Sequence, residues 1–434
     1  MKRDQYKSLL KWKNNKNRKP LLIQGARQVG KTYLVEQFGK NEYTNFIYLN
    51  FEQQTELVTL FSTILDPYKI LENISLTIGV KIESDNTLLF FDEIQIAPQV
   101  LTSLKYFYEQ ASEYHIIAAG SLLGVSVGRS SSFPVGKVDF MTLHPMSFKE
   151  YLMAVGEDML LDKIEKMQQV IALPEILHNK LNDHLKKYLF IGGMPEVLQN
   201  YLDNKDAISV RKIQNHILDA YQRDFSKYTD KTQAIRTSEL WNSIPLQLAK
   251  ENKKFKYSDV KKNARAANFE QTIEWLKNAG LINVVYNLKT PKLPIKGYSE
   301  DSKFKIYMND TGLLGAMLNI SSKLIVEPTK IYIEYNGTFI ENFVAQQFVA
   351  NNQKELFYWT SKSDAEVDFV IQFDDDIFPF EVKSGLDRNL KSLRSYESKY
   401  NPKKIFRISP RNFEENGSFV NIPLYASFVC GNFI

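Results

Sequence analysis

Cysteine is nearly absent: Cys430 is the single one in 434 residues. An intrachain disulfide is excluded, and the composition suits a reducing cytosol, so a cytoplasmic protein is expected. There is no run of about 18 apolar residues, so no membrane-spanning helix is expected. The opening segment, MKRDQYKSLLKWKNNKNRKP, is basic but lacks the apolar stretch of a secretory signal. Histidine is scarce. His115, His144, His178, His184 and His216 show no metal-ligand spacing, which speaks against histidine-based zinc chemistry.

Net charge is also small, +5, but unevenly spread. Residues 1–20 hold eight Lys or Arg against one acid, and residues 250–265, KENKKFKYSDVKKNAR, hold seven against two. The remainder is mildly acidic. Two basic clusters on such a body suggest contact with an anion such as DNA, with Lys253, Lys254, Lys261 and Lys262 as the expected contacts. Solvated lysine faces would explain them equally well.

What the chain does have is a nucleotide apparatus. In KPLLIQGARQVGKTYLVEQF, an apolar strand runs into G-x-x-x-x-G-K-T and then a helix. Gly25, Ala26, Arg27, Gln28, Val29, Gly30, Lys31, Thr32 and Tyr33 form the expected cradle for ATP. The glycines let backbone N–H groups curl round the phosphates, Lys31 reaches the β- and γ-phosphates, and the Thr32 hydroxyl ligates Mg²⁺. TLLFFDEIQ supplies the partner motif. Asp92 ends an apolar strand, where it would hold Mg²⁺, and Glu93 would deprotonate the attacking water. HIIAAG is a further strand, ending before Ser121, which is expected to sense the γ-phosphate or to cap a helix. Arg129, on the Gly/Ser-rich loop that follows, would be an arginine finger in a homo-oligomer or a solvated loop residue.

The stretches LLIQGARQVGKTYL, LLFFDEIQ, AAGSLLG, LHPMSFKEYL and YLFIGGMPEVL, and later KFKIYMNDTGLL, FIENFVAQQF and FYWTSKSDAEVDFVI, are landmarks along essentially the whole chain. They resemble those of a prokaryotic AAA-type ATPase family with an uncharacterised C-terminal domain. The resemblance implies ATP binding with hydrolysis. No clear lid arginine is evident; Arg223 is the best candidate. The expected fold class is α/β: a P-loop parallel sheet over 1–146, a helical lid over 147–230, a winged helix over 231–310 and a small α/β domain over 311–434. In the winged helix, Leu240, Ile244, Leu246 and Leu248 would face inward from the first helix, Ser258 would cap the second, and Asn268 the third. The segments LINVVYNL and KFKIYMN would form the wing.

The tail carries a second constellation. Asp or Glu two residues before Lys occurs six times, at Asp203, Glu251, Asp259, Asp301, Glu381 and Glu397, so the spacing alone decides nothing. Only Glu381 lies in an apolar strand, IFPFEVKSG, following another, EVDFVI. With Glu341 on the helix upstream, the order of helix Glu, strand Asp368, strand Glu381-x-Lys383 is similar to the PD-(D/E)XK nuclease superfamily. Asp368 and Glu381 would ligate Mg²⁺, Glu341 would complete a second metal site, and Lys383 would orient a water. A salt-bridged hairpin without catalysis is the plainer reading. Three roles stay open: ATP-gated DNA cleavage, a nucleic-acid-binding switch, and an ATP-dependent switch or scaffold for protein partners of the toxin–antitoxin or signalling type.

Overall fold

Strand β1, Leu21–Gln24, is short and apolar, and it sits in the middle of a parallel sheet covered on both faces. With β2 (Asn45–Asn50), β3 (Thr87–Asp92), β4 (His115–Gly120) and β5 (Asp139–Thr142) it forms five strands in the order β2-β3-β4-β1-β5. The pairings are all parallel. Burial of every residue of β3 and β4 follows from that cover. In this computed structural model the described residues are 1–434 except 63–64, 122–133, 135, 251–252, 322–329, 354, 362–364 and 387–388. Two compact units result: Met1–His144 with Asn278–Gly280, and Pro145–Lys277 with Leu281–Ile434.

The first unit closes with a feature the basic N-terminal sequence does not advertise. Gln5–Lys13 is a helix that buries Leu9 and Trp12. The guanidinium of Arg3 is buried beside it and donates to the carbonyls of Val29 and His144, each at 2.7 Å.

The second unit is built on an eight-stranded mixed sheet. Its strands are β6 (Ile282–Leu288), β7 (Ser299–Met308), β8 (Leu356–Thr360), β9 (Glu366–Phe373), β10 (Asp376–Val382), β11 (Ile405–Ser409), β12 (Glu414–Asn416) and β13 (Phe419–Pro423), in the order β12-β13-β11-β10-β9-β8-β6-β7. The segments expected as lid, winged helix and tail all contribute to this unit. Helices Lys231–Leu248, Tyr257–Val260 and Ala266–Asn278 precede the β6–β7 hairpin in the order expected of a winged helix. The hairpin is not a free wing, however. The open edge of β6 is taken by β8 in parallel register, Val285 opposite Leu356, so its backbone groups are satisfied within the sheet. Details of the helices also differ. Leu246 is 64% exposed, Ser258 lies inside a four-residue helix, and Asn268 lies within a helix that already begins at Ala266.

Four of the sequence landmarks turn out to be one buried polar knot. The Asp310 carboxylate accepts from the backbone N–H of Gly193 at 2.5 Å and of Leu313 at 2.9 Å, capping the helix Thr311–Met317. Gln346 donates to Asp310 and to Tyr188, and its carbonyl accepts from Thr311. Tyr188 donates to the carbonyl of Met146, whose N–H donates to Gly193. The glycines are required by contact: a Cβ on Gly193 would lie 2.1 Å from the Met146 oxygen, and one on Gly312 2.5 Å from the Ile191 oxygen. These motifs are therefore explained by packing and hydrogen bonding.

Candidate functional site

The strand–loop–helix order places the phosphate cradle at the C-terminal edge of β1, where open parallel sheets bind ligands. Gly25 has φ +146° and Gly30 φ +89°, both in the positive-φ region that residues with a side chain rarely adopt. Gly25 is constrained twice, because a Cβ there would sit 2.1 Å from the Leu143 oxygen. The helix Lys31–Glu42 starts at the loop's end and turns its first N–H groups toward the cradle.

Within the cradle Lys31 is buried, and its ammonium donates to the carbonyls of Gly25 at 2.9 Å and Ala26 at 2.8 Å. Burial lowers its pKa to about 8, with Glu93 and Asp92 opposing that fall. The Thr32 hydroxyl donates to Asp92 Oδ2 at 2.8 Å. Asp92 itself is pushed above its ordinary value, chiefly by burial. Glu93 adopts φ +56°, and the Asp92 Oδ1 accepts its backbone N–H at 3.0 Å. Ser121 is buried at the end of β4, and its hydroxyl accepts from Arg27 Nε at 3.4 Å. Tyr33 is 49% exposed. Arg129 lies outside the described residues. Arg223 is exposed on the helix Ala207–Tyr228 of the second unit.

The P-loop, Asp92, Glu93 and Ser121 thus converge in the first unit. Thr32 beside Asp92 fits a Mg²⁺ ion between the phosphates and the Walker carboxylate, and the two positive-φ glycines fit a phosphate chain against bare backbone. Four supporting residues escaped the sequence reading. Tyr48 donates to Asp92 at 3.2 Å and receives a hydrogen bond from Asn50, while Gln95 donates to Glu93, and Arg3 props the loop at Val29. Polar residues in β2, such as Tyr48 and Asn50 flanking Leu49, were the available signal.

In the second unit, helix Lys330–Ala350 carries Glu341 to a buried site on the sheet. Glu341 Oε1 pairs with Lys253 at 2.5 Å, and its Oε2 accepts from Tyr307 at 2.9 Å. Asp368 Oδ2 accepts from the Val382 N–H at 2.8 Å. Lys305, on β7 and 1% exposed, reaches Glu366 at 2.5 Å, Asp368 at 3.8 Å and Glu341 at 3.9 Å. Burial pulls the Lys305 ammonium down, but Glu341, Glu366 and Asp368 outweigh it and hold the pKa above the ordinary lysine value. Burial, followed by the Glu341 charge, raises Asp368. Burial opposes the ionisation of Glu341, yet Lys253 and Lys305 hold its carboxyl below the usual value.

Glu341 and Asp368 therefore meet around a lysine. Glu381 is buried and pairs with Lys383 at 2.7 Å through Oε1, while its Oε2 is buried with no hydrogen-bond partner among the described residues. Among the described residues no group of three or more His, Cys, Asp or Glu is placed to hold a metal ion. The lysines expected to meet DNA are largely turned to protein carboxylates: Lys253 to Glu341, Lys254 to Glu366 at 3.7 Å and Lys261 to Glu239 at 2.7 Å. Lys305, Tyr307 and Glu366 were missed. The alternation Phe304-Lys305-Ile306-Tyr307 was the signal, since a lysine among apolar strand residues needs a counter-charge. No described helix is long and apolar enough to cross a membrane.

Comparison with known proteins agrees with the first unit. Residues 17–152 match the family model of an AAA domain. Residues 182–324 and 336–426 match two further models, each described as a domain of unknown function. Uncharacterized proteins of Mycobacterium bovis and Mycobacterium tuberculosis are each 33% identical over 93 residues, 21% of this chain. The match spans only 20% of either relative's length. A Walker-type ATPase of Pyrococcus abyssi is 15% identical with a TM-score of 0.46, over 73% of this chain and 95% of that one. The ADP form of the Aeropyrum pernix ORC2 protein is 13% identical with a TM-score of 0.33, over 75% and 95%. With its matched domain model and its assembled phosphate cradle, the first unit is an AAA-type ATPase domain.

Proposed function

We propose that the protein hydrolyses ATP with Mg²⁺ in its first unit and uses the second as a binding module that does not cut phosphodiesters. The observation that carries the first half is the Thr32–Asp92 contact beside a buried Lys31. Lys31 would exchange its two carbonyl partners for phosphate oxygens, and Thr32 and Asp92 would hold the metal. The chemistry that Mg²⁺ supplies when bound is neutralisation of charge on the β- and γ-phosphates. Glu93 takes the proton of the attacking water. The hydrogen bond from Gln95 fixes where its carboxylate points, and the backbone N–H of Glu93 is tied to Asp92.

The binding-module half rests on the tail cluster, whose carboxylates are met by lysines of the same chain. On this reading the protein is an ATP-dependent switch for a partner. A second reading, DNA cleavage under nucleotide control, is favoured by the unpartnered buried oxygen of Glu381 beside Lys383. One assay with purified protein separates them. Phosphate release is expected from ATP with Mg²⁺ and none after chelation. Supercoiled plasmid is expected to stay intact with Mg²⁺ or Mn²⁺, with and without ATP. Nicking that disappears in Lys383→Ala establishes the second reading instead.

A further inference from the structure

We propose that Lys305 is the resident cation of the tail cluster: its ammonium stands where a nuclease-like site would hold a divalent metal, so the native cluster takes up no Mg²⁺ or Mn²⁺. The inference rests on geometry and charge in the second unit and is independent of ATP hydrolysis.

Three carboxylates, Glu341, Glu366 and Asp368, lie within 4.0 Å of the one ammonium. Each of Glu341 and Glu366 has a further lysine, Lys253 and Lys254 respectively. Three formal negative charges thus face three formal positive ones. A divalent ion added to that set would leave an excess of two positive charges in a buried place, where uncompensated charge is strongly disfavoured. A metal would also have to displace Lys305 from a fitted setting. The ammonium lies 5.1 Å from the Tyr358 ring centroid, and Tyr307 holds the Glu341 oxygen that faces it. Lys253 is fixed by its own segment, because the Phe255 N–H donates to the Phe304 oxygen at 2.8 Å and the two rings stack with centroids 5.3 Å apart. Among the described residues, Asp368 is the carboxylate of the three with no lysine besides Lys305 at ion-pair distance. Its uptake of a metal would depend most on Lys305 being absent.

The experiment uses the full chain without nucleotide, carrying Asp92→Asn so that the metal-holding carboxylate of the phosphate cradle does not contribute. Free Mn²⁺ is followed by electron paramagnetic resonance during titration. No Mn²⁺ uptake that depends on Asp368 is expected. Lys305→Ala is expected to add one equivalent of bound Mn²⁺, and Asp368→Asn on top of it to remove that equivalent again. An equivalent bound with Lys305 present and lost on Asp368→Asn overturns the proposal. So does a folded Lys305→Ala chain that gains none. Should Lys305→Ala fail to fold, the pair of chains retaining Lys305, with Asp368 or Asn at 368, decides alone. Equal Mn²⁺ curves for that pair support the resident lysine, and an Asp368-dependent difference refutes it.

Discussion

Glu93→Gln is expected to keep ATP binding and to lower turnover by roughly 10²- to 10⁴-fold, the range general-base catalysis supplies. Glutamine preserves shape and keeps a carbonyl oxygen, but it cannot accept a proton from water. The backbone at Glu93 is held in its left-handed setting by the Asp92 Oδ1, which accepts the residue-93 N–H in either protein. Thr32, Lys31 and Asp92 are untouched, so nucleotide affinity should change little. The measurement is steady-state phosphate release beside equilibrium binding of a fluorescent ATP analogue. A variant that turns over at the wild-type rate would remove Glu93 from the chemistry.

The second large effect is on stability. Asp310→Ala should destabilise the second unit by about 3–5 kcal/mol, the loss typical of breaking a buried charged network. The substitution orphans the N–H groups of Gly193 and Leu313, takes one of the Gln346 amide's hydrogen bonds, and removes the cap of the helix Thr311–Met317. A pH signature accompanies it. Burial raises the Asp310 pKa to about 6 from 3.8, against the hydrogen bonds that lower it. The folded carboxyl therefore binds its proton more tightly than the unfolded one between those values. Its contribution to stability is largest below about pH 4 and declines as pH rises towards 6. The gap between wild type and Asp310→Ala in urea midpoint should accordingly be wider at pH 4 than at pH 7. An Asp310→Ala protein within 1 kcal/mol of wild type would show that the knot contributes little.

The phosphate site was legible because its chemistry is local in sequence. A loop, its lysine and its threonine are consecutive, and Asp92-Glu93 follows an apolar run that could only be a covered strand. The supports were less legible. Arg3 and Val29 are brought together by a helix docking onto the unit, and no spacing rule reports that. Along the second unit, the order of helices and hairpin could be read from periodicity, but the pairing of β6 with β8 joins segments about 70 residues apart. Such pairing leaves no mark in either strand alone. A still longer separation, 117 residues, hid the meaning of Gly192-Gly193-Met194-Pro195 and Asn309-Asp310-Thr311-Gly312. Each reads as a local break, and only in the fold does Asp310 meet Gly193. In the tail, the order Glu341, Asp368, Glu381, Lys383 could be read, but the lysine at its centre came from a strand assigned to a wing.

Nucleotide capture by the first unit is the property on which every later step of the proposed ATPase depends. Equilibrium titration of the wild-type chain and of Lys31→Ala with Mg-ATP at pH 7 is the deciding measurement. Saturable binding at one site per chain is expected of the wild type, weakening above about pH 8 as the buried ammonium loses its proton. Lys31→Ala should bind at least 100-fold more weakly, about 2.7 kcal/mol or more, for loss of a charged contact to phosphate. Equal affinity of the two chains, or no binding by the wild type, would contradict the assignment of this cradle as the ATP site.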